Sequence, residues 1–330
     1  MSKRVNDTIS HLLAQSDVRP VLLDIGASGA PPQIWDALAS RSIYVGFDPD
    51  SREMRKISNG HFHKAIIVNE AVVAAEAKEV SFFLTRSPYC SSTLRPDSDA
   101  LSDYLFADLF AVESQARVRA TTFDSLFDRL ALSAVDWFKT DTQGTDLRLF
   151  NSLRPDIRDR VLAVDIEPGL IDAYIDEDLF VTVHQSLTKS GFWLSNLKVM
   201  GAVRMRRATM DKLMLAHTDV DQRRIEKAIR PSPGWCEARY LRTTDWLAQK
   251  RFEQREYLLL WIFAMLDGQF GFALDLAAEY EQVFGKSAVS AAMNSEPIRC
   301  IRQSSGGLRR AFEKIVLLPI RRKIGRMLHG

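Results

Sequence analysis

The residues best suited by type and spacing to do chemistry are acids that directly follow short apolar runs. The segment V-L-L-D-I-G-A-S-G-A places Asp24 near the end of one such run, and Gly26 and Gly29 follow in a short loop. Glycine has no Cβ, so the loop lets the backbone approach a ligand closely, and a following helix start offers unpaired N–H groups. The loop therefore predicts a ligand contact, with a structural turn as the alternative.

The same loop argues against a nicotinamide dinucleotide as the ligand. The fingerprint G-x-G-x-x-G is not present, because Ala27 and Ser28 separate the two glycines of D-I-G-A-S-G. An NAD-dependent oxidoreductase is thus a competing function class that the loop disfavours.

A second acid, Asp48, follows the next apolar run in I-Y-V-G-F-D-P-D. An acidic side chain at the end of the second strand of such a fold can accept both hydroxyls of a ribose. The alternative is that Asp48 or Asp50 caps the helix expected to begin near Ser51, since Asp is a common residue before a helix. Asp50 is the better cap because it immediately precedes that helix, and Asp48 is the better ligand.

Two further acids end later apolar runs. Asp141 stands in D-W-F-K-T-D-T-Q-G-T-D-L, before a turn through Gln143 and Gly144, and Glu167 follows V-L-A-V-D-I. In a doubly wound sheet, ligands bind at the carboxyl ends of the parallel strands. We therefore expect Asp24, Asp48, Asp141 and Glu167 to converge on one edge of the sheet.

The elements that must position these acids follow the pattern of a parallel sheet covered by helices. From about Val21 to Arg207, β-rich apolar runs alternate with segments of helical period, which predicts an α/β fold with a doubly wound, mostly parallel, Rossmann-like sheet. The predicted strands are Val21–Ile25, Ile43–Phe47, His63–Val68, Val80–Thr85, Val135–Thr140, Val161–Ile166 and Phe192–Leu197. The predicted helices are Asn6–Gln15, Gln33–Ala39, Ser51–Ser58, Asp103–Phe110, Phe123–Leu130, Asp146–Leu153 and Asp178–Ser190.

The chain changes character after Arg207, where we expect a C-terminal helical extension without β-rich runs. Two prolines and a glycine in Pro231-Ser232-Pro233-Gly234 stop any helix there, and Ser295–Gly307 has the composition of a flexible linker. We expect three parts: a sheet domain with an N-terminal helix (1–207), the helical extension (208–306) and a basic amphipathic tail (307–330). The helices predicted in the extension are Thr244–Lys250, Arg255–Leu266 and Phe272–Phe284.

From Val21 to Leu197 the motifs resemble the FkbM-type family of S-adenosylmethionine-dependent methyltransferases, within the class I Rossmann-like methyltransferases. The resemblance rests on D-I-G-A-S-G, F-D-P where the family usually has F-E-P, S-S-T-L, T-F-D-S-L-F and a late G-F-W-L. Most specific is D-W-F-K-T-D-T-Q-G-T-D-L, which is similar to the family pattern D-x-x-K-I-D-V-E-G-A-E-x-x-V-L. The sequence departs from that pattern at Thr142, Gln143 and Asp146, where the family has Val, Glu and Glu.

This resemblance implies a transferase that uses S-adenosyl-L-methionine to O-methylate a hydroxyl of a small-molecule acceptor, a saccharide or a glycoconjugate-like compound. The helical extension would cover the acceptor side. The alternative is a methyltransferase-fold protein that acts as a binding or assembly module, and Gln143 in place of an acid favours it. The cofactor-binding residues implied are Asp24, Gly26, Ala27, Ser28, Gly29, Asp48, Asn69, Ser92, Asp141 and Gln143.

Methylation of an alcohol requires that the hydroxyl lose its proton during the attack. A base must accept this proton, or a metal must assist its loss. Asp141 is the first candidate, followed by Glu167 at the next strand end and His184 on the helix after it. A surface histidine on a helix face is the alternative for His184. Asp141, Asp165 and Glu167 offer hard oxygen ligands for a divalent metal, but no complete ligand set is evident, so a metal is not favoured.

Composition and charge fit an ordinary folded protein of a reducing compartment. Hydrophobic residues make up 46% and charged residues 26% of the 330 residues, which excludes collagen-like and wholly disordered classes. The three cysteines form no C-x-x-C pair. The net charge of +2 does not steer the protein toward nucleic acid.

Membrane contact is expected only at the surface, through the basic tail. The segment from Gly307 to Gly330 contains seven basic residues and one acidic residue, Glu313, which gives this tail a charge of +6. The amino terminus lacks the apolar segment of a signal peptide, and the longest apolar run, Tyr257–Leu266, is about half the roughly 20 residues that span a bilayer. We therefore expect a cytoplasmic protein whose tail either associates weakly with anionic lipid at the inner membrane face or docks as a helix on the protein itself, with its basic face in solvent.

Overall fold

A computed structural model of the chain describes residues 3–27, 29–49, 61–214 and 218–304. Ser28, Asp50, the helix predicted at Ser51–Ser58 and the basic tail lie outside these residues. The chain divides into two units: one is Leu13–Phe252, and the other combines the described parts of Met1–Leu12 and Glu253–Gly330.

A seven-stranded sheet forms the centre of the Leu13–Phe252 unit, in the order β3-β2-β1-β7-β8-β10-β9. β1, β2, β3, β7 and β8 are parallel, whereas β10 is antiparallel to both β8 and β9. A smaller sheet, in the order β4-β6-β5, follows β3 in the chain. The strands are β1 (Val21–Ile25), β2 (Ile43–Phe47), β3 (Lys64–Val68), β4 (Ala71–Val72), β5 (Glu79–Thr85), β6 (Val112–Thr121), β7 (Trp137–Thr140), β8 (Ala163–Ile166), β9 (Phe192–Ala202) and β10 (Ser232–Arg242).

Within the Leu13–Phe252 unit, helices connect the parallel strands of the sheet, and further helices belong to the second unit. Short 3₁₀ helices span Gln33–Trp35, Pro88–Cys90 and Leu105–Phe110. The α-helices are α1 (Lys3–Gln15), α2 (Asp36–Ala39), α3 (Ser98–Leu101), α4 (Phe123–Leu130), α5 (Asp146–Ser152), α6 (Pro155–Arg158), α7 (Phe180–Lys189), α8 (Arg207–Leu213), α9 (Asp219–Ala228), α10 (Thr244–Lys250), α11 (Gln254–Leu266), α12 (Phe270–Phe284) and α13 (288–304).

The two faces of the large sheet differ in chemistry because side chains alternate along a strand. On one face, Leu23, Phe138 and Val164 belong to the main apolar core, together with Phe123 of α4. The rings of Phe123 and Phe138 meet edge to face, with centroids 6.0 Å apart. The opposite face carries charged residues near the carboxyl ends of the strands, and these residues support the site described below.

The second unit is helical and is built around α11. Ten consecutive residues of this helix, 256–265, are buried, as expected for a helix that is apolar on all sides. Trp261 donates its indole N–H to the carbonyl of Met293 (3.1 Å), and the ring of Tyr257 packs against Phe284. None of the helices in the described residues is long and apolar enough to cross a membrane.

The structure confirms the expected α/β fold with a mostly parallel central sheet, and most element positions agree within a few residues. Three expectations were wrong. The chain after Arg207 is not purely helical, since β10 completes the sheet, and the predicted linker is helical as far as residue 304. The helix predicted at Asp103–Phe110 is a 3₁₀ helix that begins at Leu105.

Candidate functional site

A cavity of about 860 Å³ opens at the carboxyl ends of the parallel strands. The strand order reverses between β1 and β7, since β2 and β3 lie on one side of β1, and β8 lies beyond β7. Ligands of open α/β sheets bind in the crevice at such a switch point. Residues from both sides line the cavity here, among them Gly26 after β1 and Asp141 after β7.

Three of the predicted acids reach this cavity for a common geometric reason. Asp48, Asp141 and Glu167 are each the first residue after a strand, following β2, β7 and β8, and all three line the cavity. Asp24 does not line it. Asp24 is the penultimate residue of β1, so its side chain points to one face of the sheet rather than off its end.

Asp24 instead forms a buried ion pair below the cavity. Its carboxylate, with the residue only 2% exposed, lies 2.7 Å from the ammonium of Lys139 on β7 and accepts a hydrogen bond from the hydroxyl of Tyr44 (3.0 Å). Burial alone would lower the pKa of Lys139, but the carboxylates of Asp24, Asp141 and Glu167 raise it above its usual value. The structure thus places Asp24 in a supporting position beneath the cavity rather than on its wall, and its predicted contact with a cofactor stays untested.

Gly26 occupies a position that no other residue fits. Its backbone is left-handed (φ +77°), and a Cβ built there would lie 1.9 Å from the carbonyl oxygen of Asp141. The N–H groups of Gly26 and Ala27 both donate to the carbonyl of Phe47, at 2.9 and 2.8 Å. These contacts hold the tips of β1, β2 and β7 together, while Ala27 and Gly29 do not line the cavity.

The turn after β3 supports Asp48. Asn69 donates its side-chain amide to the carbonyl of Asp48 (2.7 Å), and Asp48 donates its own N–H to the carbonyl of Val68 (3.3 Å). Asn69 does not line the cavity, whereas its neighbour Glu70 does, held by a bidentate contact with Arg129 at 2.9 and 3.1 Å. The structure thus gives Asn69 a positioning role and brings Glu70, which the sequence did not single out, to the site.

Asp141 is tied to the turn that follows it. The side-chain amide of Gln143 donates to Asp141 Oδ1 (2.6 Å), and both residues line the cavity. The hydroxyl of Tyr174 lies 3.0 Å from Gln143 Oε1 and 2.9 Å from the carbonyl oxygen of Cys90. Burial raises the pKa of Tyr174 well above its usual value, so this hydroxyl keeps its proton.

Ser92 supports the same turn from below. Its hydroxyl donates toward the carbonyl of Gln143 (2.8 Å) and accepts from the N–H of Leu94 (3.0 Å), but Ser92 does not line the cavity. In the structure Ser92 therefore holds the backbone of this turn, and its contact with a cofactor stays a prediction.

Glu167 and Glu177 bring two carboxyl groups of raised pKa to the cavity wall. Burial, together with the charges of Asp141, Glu237 and Asp146, raises the pKa of Glu167 to about 9, against the opposing effect of Lys139. Burial likewise raises the pKa of Glu177 to about 7, although its carboxylate accepts hydrogen bonds from the N–H groups of Ala173 and Tyr174.

His184 lies away from the cavity. On α7, its Nδ1 is 3.2 Å from the hydroxyl of Tyr240, and its ring stacks on Phe180. His184 does not line the cavity, so the catalytic role predicted for it is not supported by its position. This position fits the alternative interpretation, a histidine on a helix face, and the structure shows Tyr240 as its neighbour.

The oxygen ligands considered for a metal do not meet around one point. Asp165 points to the charged face of the sheet, where Arg239 donates from Nε and Nη2 to its two carboxylate oxygens at 2.7 and 2.9 Å. Among the described residues, no cluster of three or more His, Cys, Asp or Glu side chains has the geometry of a metal site.

Aromatic side chains form a further wall of the cavity that the sequence did not reveal. Phe106 and Phe110 of the 3₁₀ helix pack with Tyr174 and Trp235, with ring centroids between 5.3 and 6.3 Å apart in successive pairs. These residues come from three separate segments, so only the tertiary structure brings them together.

The charged side chains that line the cavity are mainly acidic. Arg86 and Arg207 are the basic residues among the described lining residues, and both contact acids, Glu113 and Asp108 respectively. A cavity of this composition favours a ligand that carries positive charge beside neutral polar groups. The acidic residues that line it are Asp48, Glu70, Asp108, Asp141, Glu167, Glu177 and Glu226.

Comparison with known proteins adds no assignment: no family model matches the chain, and no curated protein matches it significantly.

Proposed function

We propose that the protein is a class I-type methyltransferase that transfers the methyl group of S-adenosyl-L-methionine to a hydroxyl of a saccharide or glycoconjugate-like acceptor. The observation that carries the proposal is the meeting of Gly26, Asp48 and Asp141 around one cavity at the switch point of the sheet. The sequence motifs that resemble the FkbM-type family contain these same three residues.

The cavity suits this cofactor in size and in charge. A volume of about 860 Å³ lies within the range of small-molecule and cofactor sites. Asp48, at the tip of β2, would hold the ribose hydroxyls, and Gly26, which lines the cavity, lets the tip of β1 approach the backbone of Asp141 closely. Asp141 would lie toward the positively charged sulfonium and amino groups, which an acidic wall favours, and Glu167, which holds a proton, would offer a neutral hydrogen-bond donor beside it.

The sheet also argues against the competing NAD-dependent function. Dinucleotide-binding sheets of the Rossmann type join two halves of three parallel strands each. Here the second half has only β7 and β8 parallel, because the next strand, β10, runs antiparallel.

When bound, the cofactor supplies a methyl group that is already activated by the sulfonium. The contribution of the chain is then mainly to position the acceptor and to exclude water. Asp141 is placed to orient the acceptor hydroxyl and to take its proton, because one of its oxygens is held by Gln143 and the other has no hydrogen bond within the described residues. The aromatic wall of Phe106, Phe110 and Trp235 offers the apolar surface on which a sugar ring can stack.

A binding or assembly module that retains the cofactor site is the second candidate. Gln143, where the resembling family has a carboxylate, favours it, because any step that needs an acid at this position would be lost. This candidate predicts cofactor binding without methyl transfer.

Calorimetry with S-adenosylmethionine and S-adenosylhomocysteine tests the proposal first. The variant Asp48→Ala then tests whether Asp48 binds the ribose hydroxyls. Loss of charge-assisted hydrogen bonds worth about 1.5–3 kcal/mol should weaken binding roughly tenfold to a hundredfold. Asp128→Ala, on the exposed side of α4, is the matched control and should bind like wild type. Absence of binding by the wild-type protein would rule out the methyl-donor function.

Methyl transfer to a pool of hydroxyl-bearing saccharides, followed by mass spectrometry of the products, then separates the two candidates. A mass increase of one methyl group on an oxygen supports the enzyme. Cofactor binding without any modified product would favour the binding module.

A further inference from the structure

We propose that the end of the cavity beside β9 and β10 is a separate subsite for a neutral saccharide. There, Trp235 and Phe106 stack on one face of a sugar ring, and a chain of polar side chains binds its hydroxyls. This polar chain consists of Arg207, Gln222 and Glu226. The role of the saccharide as methyl acceptor rests on the proposed function. Binding of the saccharide does not require the cofactor, so the subsite can be tested separately.

The cavity extends well past the strands that would hold the cofactor. Its lining runs from Asp48, at the tip of β2, to Ala202, the last residue of β9. Five strand-to-strand steps separate β2 from β9, so at about 4.8 Å per step the lining spans about 24 Å along the edge of the sheet. Asp141 and Glu167 follow the strands in the middle, β7 and β8. The end beside β10 and β9 is therefore left for a second ligand.

The aromatic side chains at this end are held by contacts on several sides. Phe106 lies edge to face against Trp235, with ring centroids 6.3 Å apart. Phe106 and Phe110 both pack against a small buried cluster that contains Tyr174. Trp235 also forms a single antiparallel bridge with Gly169, in the loop after β8. The aromatic surface is thus formed before a ligand arrives, which lowers the entropic cost of binding.

The polar chain lies beside this aromatic surface. Arg207 of α8 donates from Nη1 to Gln222 Oε1 (3.0 Å), and Gln222 of α9 donates from Nε2 to Glu226 Oε1 (2.7 Å). Arg207 Nε also lies 4.0 Å from an oxygen of Asp108, which belongs to the same 3₁₀ helix as Phe106. A guanidinium only donates and a carboxylate only accepts, so these contacts fix the orientation of the Gln222 amide. The chain therefore presents donors and acceptors at defined positions of the cavity wall.

This combination of groups matches the chemistry of a saccharide. The face of an aromatic ring is negative and attracts the C–H groups of a sugar ring. Each sugar hydroxyl both donates and accepts, so neighbouring hydroxyls can satisfy the donor Arg207 and the acceptor Glu226 together. Asp108 and Glu226 outnumber Arg207 among the charged residues that line this end, which disfavours an anionic sugar. The structure thus favours a neutral, hydroxyl-rich ligand.

Saturation-transfer difference NMR on the full chain tests the subsite directly. The probes are the methyl glycosides of glucose, galactose, mannose, N-acetylglucosamine, rhamnose and fucose, each added with and without S-adenosylhomocysteine. At least one glycoside should receive saturation, most strongly at the C–H protons of one ring face, because that face stacks on the aromatic rings. Absence of saturation transfer to every one of these glycosides would overturn the proposal.

Trp235→Leu removes the largest stacking surface and should weaken binding of the glycoside about tenfold or more. Trp193→Leu is the matched control, because Trp193 is half-buried on β9 but does not line the cavity. This control should bind the glycoside like wild type. Both variants should bind S-adenosylhomocysteine within about threefold of the wild-type affinity.

Gln222→Met interrupts the polar chain with a side chain of similar size and should weaken glycoside binding about threefold to tenfold. Gln185→Met, at an exposed position of α7 outside the cavity, is its control and should have no effect. Gln222→Met also carries the test if Trp235→Leu does not fold. Unchanged glycoside binding in either folded variant, Trp235→Leu or Gln222→Met, would place the saccharide elsewhere and overturn the proposal.

The outcomes separate the subsite from the methyltransferase function. Glycoside binding without any binding of S-adenosylhomocysteine would support the subsite and rule out the methyl-donor function. Binding of S-adenosylhomocysteine without any glycoside would overturn the subsite and leave the cofactor site standing. Where methyl transfer is observed, Trp235→Leu should raise the KM for the saccharide more than it lowers kcat, because the ring contributes to binding rather than to the chemical step.

Discussion

At the residue scale, Gly26 and Gly29 of one loop have the same left-handed backbone but different surroundings. A Cβ at Gly26 would lie 1.9 Å from the carbonyl oxygen of Asp141, whereas a Cβ at Gly29 would meet no atom within 4 Å. The sequence could predict that this loop needs glycine. It could not predict which glycine the neighbouring strand constrains, because that contact joins residues far apart in the chain.

This pair yields a prediction in which each variant controls for the other. Gly29→Ala adds only backbone strain and should lower the free energy of unfolding by about 1 kcal/mol. Gly26→Ala adds a clash with backbone atoms, so it should cost at least about 2 kcal/mol more and impair binding of S-adenosylhomocysteine. Urea unfolding followed by circular dichroism measures the first effect, and calorimetry measures the second. Equal losses in the two variants would contradict the close approach of β1 and β7.

Glu167 gives a prediction of pH dependence. Its pKa is raised from the usual 4.5 to about 9, mainly by burial, so the native protein holds a proton that the unfolded chain releases between these values. This carboxyl group therefore lowers stability as the pH rises from about 4.5 to about 9. Glu167→Gln cannot ionise and should gain stability relative to wild type over this window, by at most about 1.4 kcal/mol per pH unit.

Urea unfolding at pH 5, 7 and 9 measures this difference between Glu167→Gln and wild type. Glu113→Gln, at an exposed position on β6, serves as the control and should show a difference that does not vary with pH. A difference between Glu167→Gln and wild type that is the same at all three pH values would show that Glu167 is not buried in its neutral form.

The same residues show how far the site could be read from the sequence. Asp48, Asp141 and Glu167 were predicted at the cavity and lie there, because each directly follows a strand. Asp24 was expected with them but stands two residues earlier relative to its strand end, so it lies within the sheet, beneath the cavity, rather than at the strand tip. The predicted strand Val21–Ile25 has the same bounds as β1, so the sequence already placed Asp24 inside the strand, and the expected contact overlooked this position.

At the scale of elements, the Asp24–Lys139 pair joins β1 to β7 directly beneath the cavity. Lys139→Met would leave the buried carboxylate of Asp24 without its cation, which should lower the free energy of unfolding by about 3–5 kcal/mol. Adding Asp24→Asn should recover part of this loss, because the unpaired charge is then removed as well. Chemical unfolding of the two single variants and the double variant measures the coupling.

Lys198→Met is the matched control for that experiment. Lys198 and Glu237 also pair across neighbouring strands, β9 and β10, at 2.8 Å, but their side chains are 61% and 51% exposed. An exposed pair of this kind contributes at most about 1 kcal/mol, so the control should lose little stability. Similar losses in the buried and the exposed pair would show that burial of Asp24 does not determine the outcome.

β10 was not predicted from the sequence, and its residues show why. Pro233 and Gly234 were interpreted only as residues that stop a helix, yet they lie in the first residues of β10, beside an irregularity in its pairing with β9. Proline is tolerated in a sheet at strand starts and bulges. Three charged residues, Glu237, Arg239 and Arg242, also made a strand harder to predict here. In the structure, Arg239 donates to the carboxylate of Asp165, and Arg242 donates to backbone carbonyls, including that of Val161.

At the scale of the whole molecule, the first residues of α1 group with helices that come much later in the chain. The described parts of Met1–Leu12 and Glu253–Gly330 belong to one unit, in which Val5, Ile9 and Leu12 are buried. No local pattern reveals this grouping, because it depends on packing between the two ends of the sequence.

Ile9→Ala tests the grouping. Removing a fully buried side chain should destabilise the helical unit by about 2–5 kcal/mol, so amide hydrogen exchange should accelerate in α11 and α12 more than in β1 and β7. Asp7→Ala, on the exposed side of α1, is the control and should leave exchange close to that of wild type. Faster exchange confined to β1 and β7 would place α1 with the sheet instead.

The position of β10 has a consequence for the order in which the molecule can assemble during synthesis. β9 leaves the ribosome before β10, but it has no strand to pair with until β10 arrives, since β10 lies between it and β8. Trp235 and Gly234, which complete the cavity wall, emerge at the same late moment. A nascent chain that ends before Ser232 therefore has an unfinished sheet and an open pocket, so ligand capture must wait for the last strand.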